Sequence, residues 1–145
     1  MARAKRLHHV TVMVTDLEAA DAFYGGLIGL AKIQRPDLPS QGIWYEIDGT
    51  QVHIILADRS DPPSPRHIAF EVDDLEVTLC TVEKMGLPIW SDIQVEGFVR
   101  KHCRDPFGNG IELLQRVESR QERGTPSPSY VNAKGEWRFG EDEFR

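Results

Sequence analysis

The sequence has few of the features that mark export, membrane insertion or nucleic-acid binding. Cysteine occurs only twice in 145 residues, with no framework spacing, so we expect Cys80 and Cys103 to be free thiols. No apolar run approaches the roughly 18 residues of a membrane span, and the basic start leads into an alternating segment instead of an apolar signal core. Acidic residues outnumber basic ones by 23 to 17 without a long basic run, which argues against binding to nucleic acid or to an anionic membrane. We therefore expect a cytoplasmic protein.

The hydrophobic content and the length of the chain suffice for one folded domain. Hydrophobic residues make up 40% of the chain, and the length suits a single core. We predict one domain over residues 1–116 and a charged C-terminal extension over 117–145. The extension contains two prolines and several aromatic residues, so it could pack as an arm on a second subunit or over a site, or it could be frayed.

The sequence repeats itself. Residues 9–18, HVTVMVTDLE, are echoed by residues 67–76, HIAFEVDDLE, so each copy has a histidine seven residues before Asp-Leu-Glu. A second pair follows in residues 49–53, GTQVH, and 108–112, GNGIE, where an imidazole or a carboxylate comes four residues after a glycine. Nearly constant offsets of 58 and 59 residues separate the copies, which indicates two related modules.

Each module is predicted to contain a strand, a helix and three further strands, an α+β arrangement. The modules span about 7–57 and 66–115, and a proline-rich linker at 58–65 joins them. Alternation predicts opening strands at 7–14 and 67–72, and Asp16 and Asp74 are typical helix N-caps. The first helix is predicted to end near Gly25-Gly26 or Gly29, and the second at Gly86. The remaining strands are predicted near 31–35, 42–48, 51–57, 88–93, 97–104 and 110–115.

The repeat points to a metal site. If the modules share a fold, His9 matches His67 and His53 matches Glu112, and a pseudo-twofold axis would direct all four inward. A single histidine on an apolar strand is usually a core residue, but matched placement in both halves favours a ligand set. Two imidazoles and a carboxylate with open positions are typical of non-haem iron oxygenases, so we predict His9, His67 and Glu112 as ligands of Fe²⁺ or Mn²⁺. His53 is either an acid–base group or a fourth ligand, which would favour Zn²⁺ or Ni²⁺.

Further candidate proton-transfer and substrate-binding residues lie on strands next to those that carry the predicted ligands. His102 comes ten residues before Glu112 and shares a strand face with Arg100 and Arg104. If this face lines a cavity, His102 is a second proton-transfer group and the two arginines bind an anionic substrate; if the face is outward, all three are solvated. Trp44 fits the binding of an aromatic or hydrophobic substrate, and it fits a core equally well.

Three motifs together resemble the vicinal oxygen chelate superfamily, which includes glyoxalases, bleomycin-resistance proteins and extradiol dioxygenases. They lie at residues 7–30, 66–75 and 105–113, and the resemblance covers about 7–115. It implies two tandem βαβββ modules that form a cupped mixed sheet around a divalent metal, with His9, His67 and Glu112 at ligand positions. It also implies a homodimer, because the ligands of glyoxalase-like and fosfomycin-resistance-like members often come from two subunits. Bleomycin-binding members lack these ligands, so passive drug sequestration is not expected.

The reaction stays open among three alternatives. A dioxygenase-like enzyme acting on a small substrate that chelates the metal through two oxygens is favoured. Extradiol dioxygenases resemble the chain in a histidine near His53, but they have a tyrosine where His102 stands. An isomerase or lyase of the glyoxalase or epimerase type is the second alternative, although glyoxalases usually have glutamate or glutamine at the place of His53. A small-molecule binding protein without catalysis is the third.

Overall fold

Strands and helices follow one another twice in the same order, as the repeat predicts. The computed structural model of the protein describes residues 2–91 and 93–117. The first module contains β1 (His9–Val14), α1 (Leu17–Asp21) continued by a π-helical segment (Ala22–Leu27), β2 (Ala31–Ile33), β3 (Gly42–Ile47) and β4 (Thr50–Leu56). The second contains β5 (His67–Glu71), α2 (Leu75–Lys84), β6 (Ile89–Trp90), β7 (Phe98–Arg104) and β8 (Gly110–Arg116). Beyond Val117, the predicted C-terminal extension lies outside the described residues.

The two modules form two four-stranded mixed sheets with the same topology. The strand orders are β1-β4-β3-β2 and β5-β8-β7-β6. In each sheet the first strand pairs in parallel with the last, and the other neighbours are antiparallel. This confirms the predicted tandem βαβββ modules with a cupped mixed sheet.

Side-chain caps explain where the helices begin, and positive φ angles explain the turn between β3 and β4. The carboxylates of Asp16 and Asp74 accept hydrogen bonds from the backbone N–H of Ala19 and Val77, each at 2.9 Å, so both predicted N-caps are confirmed. Asp48 and Gly49 have φ values of +46° and +74°, the left-handed pair that a two-residue hairpin turn requires. Neither described helix is long and apolar enough to cross a membrane.

The first helix differs from the prediction. It stops being α-helical at Asp21, and Ala22–Leu27 continue as a π-helix. The two glycines of this segment have low helix propensity, which makes the wider turn accessible. The wider turn buries the rings of Phe23 and Tyr24 completely. Strands β2 and β6 are also shorter than predicted. Pro36, which follows β2, provides no N–H for pairing.

One face of each sheet packs in the core, and the other carries the candidate site. Residues at alternate positions of the strands join the helices in a single buried cluster. These strand residues are Val12, Val14, Tyr45, Val52, Ile54, Phe70, Cys103, Ile111 and Leu113. The side chains of His9, His53, His67, His102 and Glu112 occupy the intervening positions and therefore lie on the opposite faces.

A buried carboxylate ties the second module to the first. Asp105, which is 2% exposed, accepts a hydrogen bond from the hydroxyl of Tyr24 at 2.7 Å. It also accepts from the backbone N–H groups of Phe107 and Asn109 and from the side-chain amide of Asn109. That amide also donates to the carbonyl oxygen of Met13 at 3.0 Å. The β7–β8 loop is thus held against both β1 and the π-helical segment.

Candidate metal centre

The second sheet brings three potential ligands together. One ligand atom from each of His67, His102 and Glu112 lies within 4.8 Å of the others. Their strand register explains the cluster: His102 lies directly opposite Glu112, and His67 lies opposite Gly110, two residues earlier on β8. A Cβ atom at Gly110 would lie 2.4 Å from the carbonyl oxygen of Arg66. Glycine is therefore required for β5 to approach β8 so closely.

The contacts of His67 and Glu112 fit a divalent cation. Nδ1 of His67 lies 2.9 Å from the carbonyl oxygen of Pro65, which can only accept, so Nδ1 carries the proton. In the neutral ring, Nε2 then directs its lone pair at Oε2 of Glu112, 3.0 Å away. A proton between the two atoms, or a divalent metal that both atoms would hold, would remove the repulsion between their lone pairs. Two ligands held at about 2.1 Å from one ion and at right angles lie about 3 Å apart, so this donor set suits a metal.

The two arginines predicted to bind substrate form hydrogen bonds with other groups of the protein. Nη1 of Arg100 donates to Oε1 of Glu112 at 2.8 Å, and Nε donates to the carbonyl oxygen of Ile93 at 2.7 Å. Arg104 donates to the carbonyl oxygen of Gly108 at 2.9 Å and lies over the ring of Trp90. Both arginines share the face of His102, as predicted, but their role in binding a substrate stays a prediction.

On the first sheet, the rings of Trp44, His53 and His9 form a separate group, which we call the first group of rings. His53 is stacked between Trp44 and His9, with ring centroids 3.8 Å and 4.3 Å away. Nε2 of His53 lies 2.8 Å from the side-chain oxygen of Gln51, so Nε2 donates and Nδ1 keeps a free lone pair. Burial lowers the pKa of His53, and the nearby charges of His9, His8 and Arg35 lower it further. His53 is therefore a neutral imidazole near pH 7.

The structure brings together part of the predicted ligand set. His67 and Glu112 meet, and His102 lies beside them with its ring 5.2 Å from that of His67. His9 lies next to His53 on the first sheet and is not part of the cluster found among residues 2–91 and 93–117. The assignment of His9 as a ligand and of His53 and His102 as catalytic groups stays a prediction.

Sequence reasoning missed three residues near the first group. Gln51 lies opposite His9 and orients His53 through a hydrogen bond. Its position two residues before His53 on the same strand could have indicated that the two side chains share a face. Nδ1 of His8 lies 3.0 Å from Nδ1 of His9 although alternation predicts opposite faces, because His8 precedes the strand. Arg35 acts on His53 from beyond the end of β2, and no motif marks it.

Comparison with known proteins agrees with this architecture. Residues 6–113 match the Glyoxalase/Bleomycin resistance protein/Dioxygenase superfamily. Bovine mitochondrial methylmalonyl-CoA epimerase is 28% identical over 129 residues, covering 76% of this chain and 74% of that protein.

Two solved structures are similar in fold. A glyoxalase family protein from Bacillus anthracis has a TM-score of 0.68 at 27% identity, covering 81% of this chain and 99% of that chain. A point mutant of the fosfomycin resistance protein FosX from Listeria monocytogenes, complexed with Mn(II) and 1S,2S-dihydroxypropylphosphonic acid, has a TM-score of 0.69 at 19% identity, covering 80% of this chain and 95% of that chain. The repeated modules, the sheet topology and the match over residues 6–113 lead to one conclusion: the chain belongs to the glyoxalase/bleomycin resistance protein/dioxygenase superfamily.

Proposed function

We propose that the protein is a divalent-metal-dependent enzyme that transfers a proton on a small substrate chelating the metal through two oxygens, in the manner of an epimerase or isomerase. The observation that carries the proposal is the contact of His67 Nε2 with Glu112 Oε2 while Nδ1 of the same ring is committed to Pro65. A divalent metal held there would polarise a substrate carbonyl and stabilise the negative charge that develops on its oxygen.

His53 is the proposed proton acceptor. Its neutral ring has a lone pair on Nδ1, because the hydrogen bond of Nε2 to Gln51 fixes the tautomer. Stacking on Trp44, with the two ring planes only 1° apart, fixes its orientation. A positioned neutral imidazole is suited to general-base catalysis near neutral pH. His102, adjacent to His67 and Glu112, is the second proposed proton-transfer group.

The proposed site is completed by a second copy of the chain. His67 and Glu112 lie on one sheet, whereas His9 and His53 lie on the other and outside the described ligand cluster. A homodimer that pairs the first module of one subunit with the second module of its partner would unite the two groups. In this arrangement His9 joins His67 and Glu112 on Fe²⁺ or Mn²⁺. If His53 also binds the metal, Zn²⁺ or Ni²⁺ is favoured.

A dioxygenase-like reaction is the second candidate. It is favoured by the proximity of two imidazoles and one carboxylate in His67, His102 and Glu112, since such a set leaves metal positions open for substrate and dioxygen. Proton transfer is proposed first because the similarity to methylmalonyl-CoA epimerase extends over three quarters of the chain, and because His53 has the protonation state of a base.

Two assays on one preparation separate the candidates. The metal-loaded protein is incubated in D₂O with methylmalonyl-CoA, and deuterium at the carbon next to the carbonyl is followed by NMR. Oxygen consumption is followed with catechol, which carries two neighbouring hydroxyl groups. We expect deuterium incorporation that is lost in His53→Gln, without oxygen consumption. Oxygen consumption without exchange would favour the dioxygenase, and a wild-type protein that binds no metal would contradict both candidates.

A further inference from the structure

A guanidinium group lies at the edge of the first group of rings. On the face of the first sheet that carries His53, Ile33 of β2 lies opposite Trp44 of β3, and Trp44 lies opposite His53 of β4. Arg35 follows Ile33 by two residues and precedes a proline, which favours an extended backbone and hence the same side of the sheet. Consistent with this placement, Arg35 is among the charged groups that lower the pKa of His53.

The side chain of Arg35 is held in place. Its Nη2 donates to the backbone oxygen of Ser40 at 2.6 Å and to the Ser40 hydroxyl at 2.9 Å, and the side chain is half-buried. Two hydrogen bonds from one nitrogen fix the plane of the guanidinium before any ligand arrives. A cation that is ordered in advance loses little conformational entropy on binding an anion.

The protein does not neutralise this cation within residues 2–91 and 93–117. No carboxylate there forms an ion pair with Arg35, whereas Lys32, Arg100 and Arg116 each contact one. The other two arginines considered for an anion are already engaged, Arg100 with Glu112 and Arg104 with Gly108 and Trp90. The guanidinium of Arg35 can therefore pair with an anion without giving up a carboxylate of the described residues.

We propose that Arg35 binds a carboxylate or phosphate group of the substrate and thereby selects an anionic substrate for the site. This inference rests on the proposed function, because it assigns the reacting end of the substrate to the metal and His53. The anionic group would be bound by the guanidinium beyond the Trp44 ring. Arg35 is then a specificity residue that touches the substrate away from the reacting atoms.

The test uses the full-length, metal-free protein, so that its outcome is independent of the metal chemistry. Inorganic phosphate and malonate are titrated separately at constant ionic strength, and the Nε–Hε signal of Arg35 is followed by ¹⁵N-edited NMR. That signal is assigned by its absence in Arg35→Gln. Binding to Arg35→Gln is followed through backbone amide signals, and Lys32→Gln serves as the matched control because it removes one positive charge from the neighbouring surface.

We expect a saturable shift of the Arg35 signal with at least one anion. Affinity should fall about tenfold or more in Arg35→Gln, as expected for loss of a charged hydrogen-bond donor, and stay within about twofold in Lys32→Gln. Stronger binding of phosphate or of malonate identifies the class of anion. No saturable shift with either anion, or equal affinity in Arg35→Gln, would overturn the inference. If the anions bind as expected but metal analysis fails, the proposed function is wrong and the anion site stands.

Discussion

Nε2 of His67 lies 3.0 Å from Oε2 of Glu112, while Nδ1 of the same ring donates to the carbonyl oxygen of Pro65. The two residues lie on neighbouring parallel strands and approach each other because Gly110 leaves room between them. The carboxylate is mostly buried while 38% of the His67 side chain is exposed, so an ion bound to both would be accessible to a substrate from solution.

Mixed dimers test whether each site is built from two subunits. We expect His9→Ala and Glu112→Ala to bind no stoichiometric metal as separate proteins, because each change removes a ligand from both sites of its homodimer. A heterodimer of the two variants would contain one intact site, formed by the unmodified modules. Differently tagged chains can be refolded together, purified as heterodimers and analysed for metal. One ion per heterodimer is expected; no recovery would contradict a site shared between subunits.

His53→Gln separates a proton acceptor from a metal ligand. We expect the variant to retain its metal and to lose about 10²-fold or more in kcat, the usual contribution of a general base. Deuterium exchange on methylmalonyl-CoA and elemental analysis of the same sample provide the two readouts. Trp44→Phe, which keeps an aromatic surface against His53, is the matched control and should retain most of the activity. Loss of metal in His53→Gln would instead make His53 a ligand.

Tyr24→Phe tests the buried link between the modules. The change removes a 2.7 Å hydrogen bond to the carboxylate of Asp105, which is buried, so we expect a loss of about 1–3 kcal/mol in the free energy of unfolding. Tyr45→Phe is the control, because the Tyr45 hydroxyl donates to Asp21, whose side chain is 40% exposed and can be solvated instead. Urea denaturation of both variants measures the difference. An equal or larger loss in Tyr45→Phe would contradict this interpretation.

Because the thiol of Cys103 is buried, we expect the folded protein to lose stability at high pH. Burial raises the pKa of the Cys103 thiol from 9.0 to about 12, and the charge of Asp105 adds to the rise. The unfolded chain releases this proton at lower pH than the folded protein does. The stabilising contribution is therefore complete below pH 9 and is lost as the pH rises toward 12, by up to about 1.4 kcal/mol per pH unit.

Urea denaturation between about pH 8 and pH 10, on either side of the ordinary thiol pKa, measures this effect, with Cys103→Ala as the variant that lacks the thiol. The unfolding free energy of the wild type should fall more steeply with pH than that of the variant. Parallel curves would show that the thiol does not contribute. The exposed Cys80 should react with iodoacetamide at about pH 8, whereas Cys103 should not.

Most of the fold could be predicted from the sequence because its signals are local and occur twice. The alternating strands, the Asp16 and Asp74 caps and the Asp48-Gly49 turn each depend on neighbouring residues, and the structure confirms them. The change from α-helix to π-helix after Asp21 could not be predicted. It depends on the burial of Phe23 and Tyr24 and on a contact between Tyr24 and Asp105, 81 residues away.

The positions of the site residues could be predicted where the internal repeat relates a residue of one module to its equivalent in the other. The offset that pairs His9 with His67 also pairs Trp44 with His102, and the strand register bears out both equivalences. By that second equivalence, His102 lies opposite Glu112 as Trp44 lies opposite His53. The contacts of Arg100 with Glu112 and of Gln51 with His53 depend on side-chain rotamers, and sequence spacing does not determine them.

Metal content tests whether His67 and Glu112 hold a metal ion. Wild-type protein, Glu112→Ala and the control His8→Ala are purified without chelators or a histidine tag and analysed for transition metals. We expect nearly one iron or manganese ion per chain in the wild type and in His8→Ala, and almost none in Glu112→Ala. A wild-type protein without metal, or a Glu112→Ala protein that retains it, would contradict the assignment of Glu112 and His67 to a metal centre.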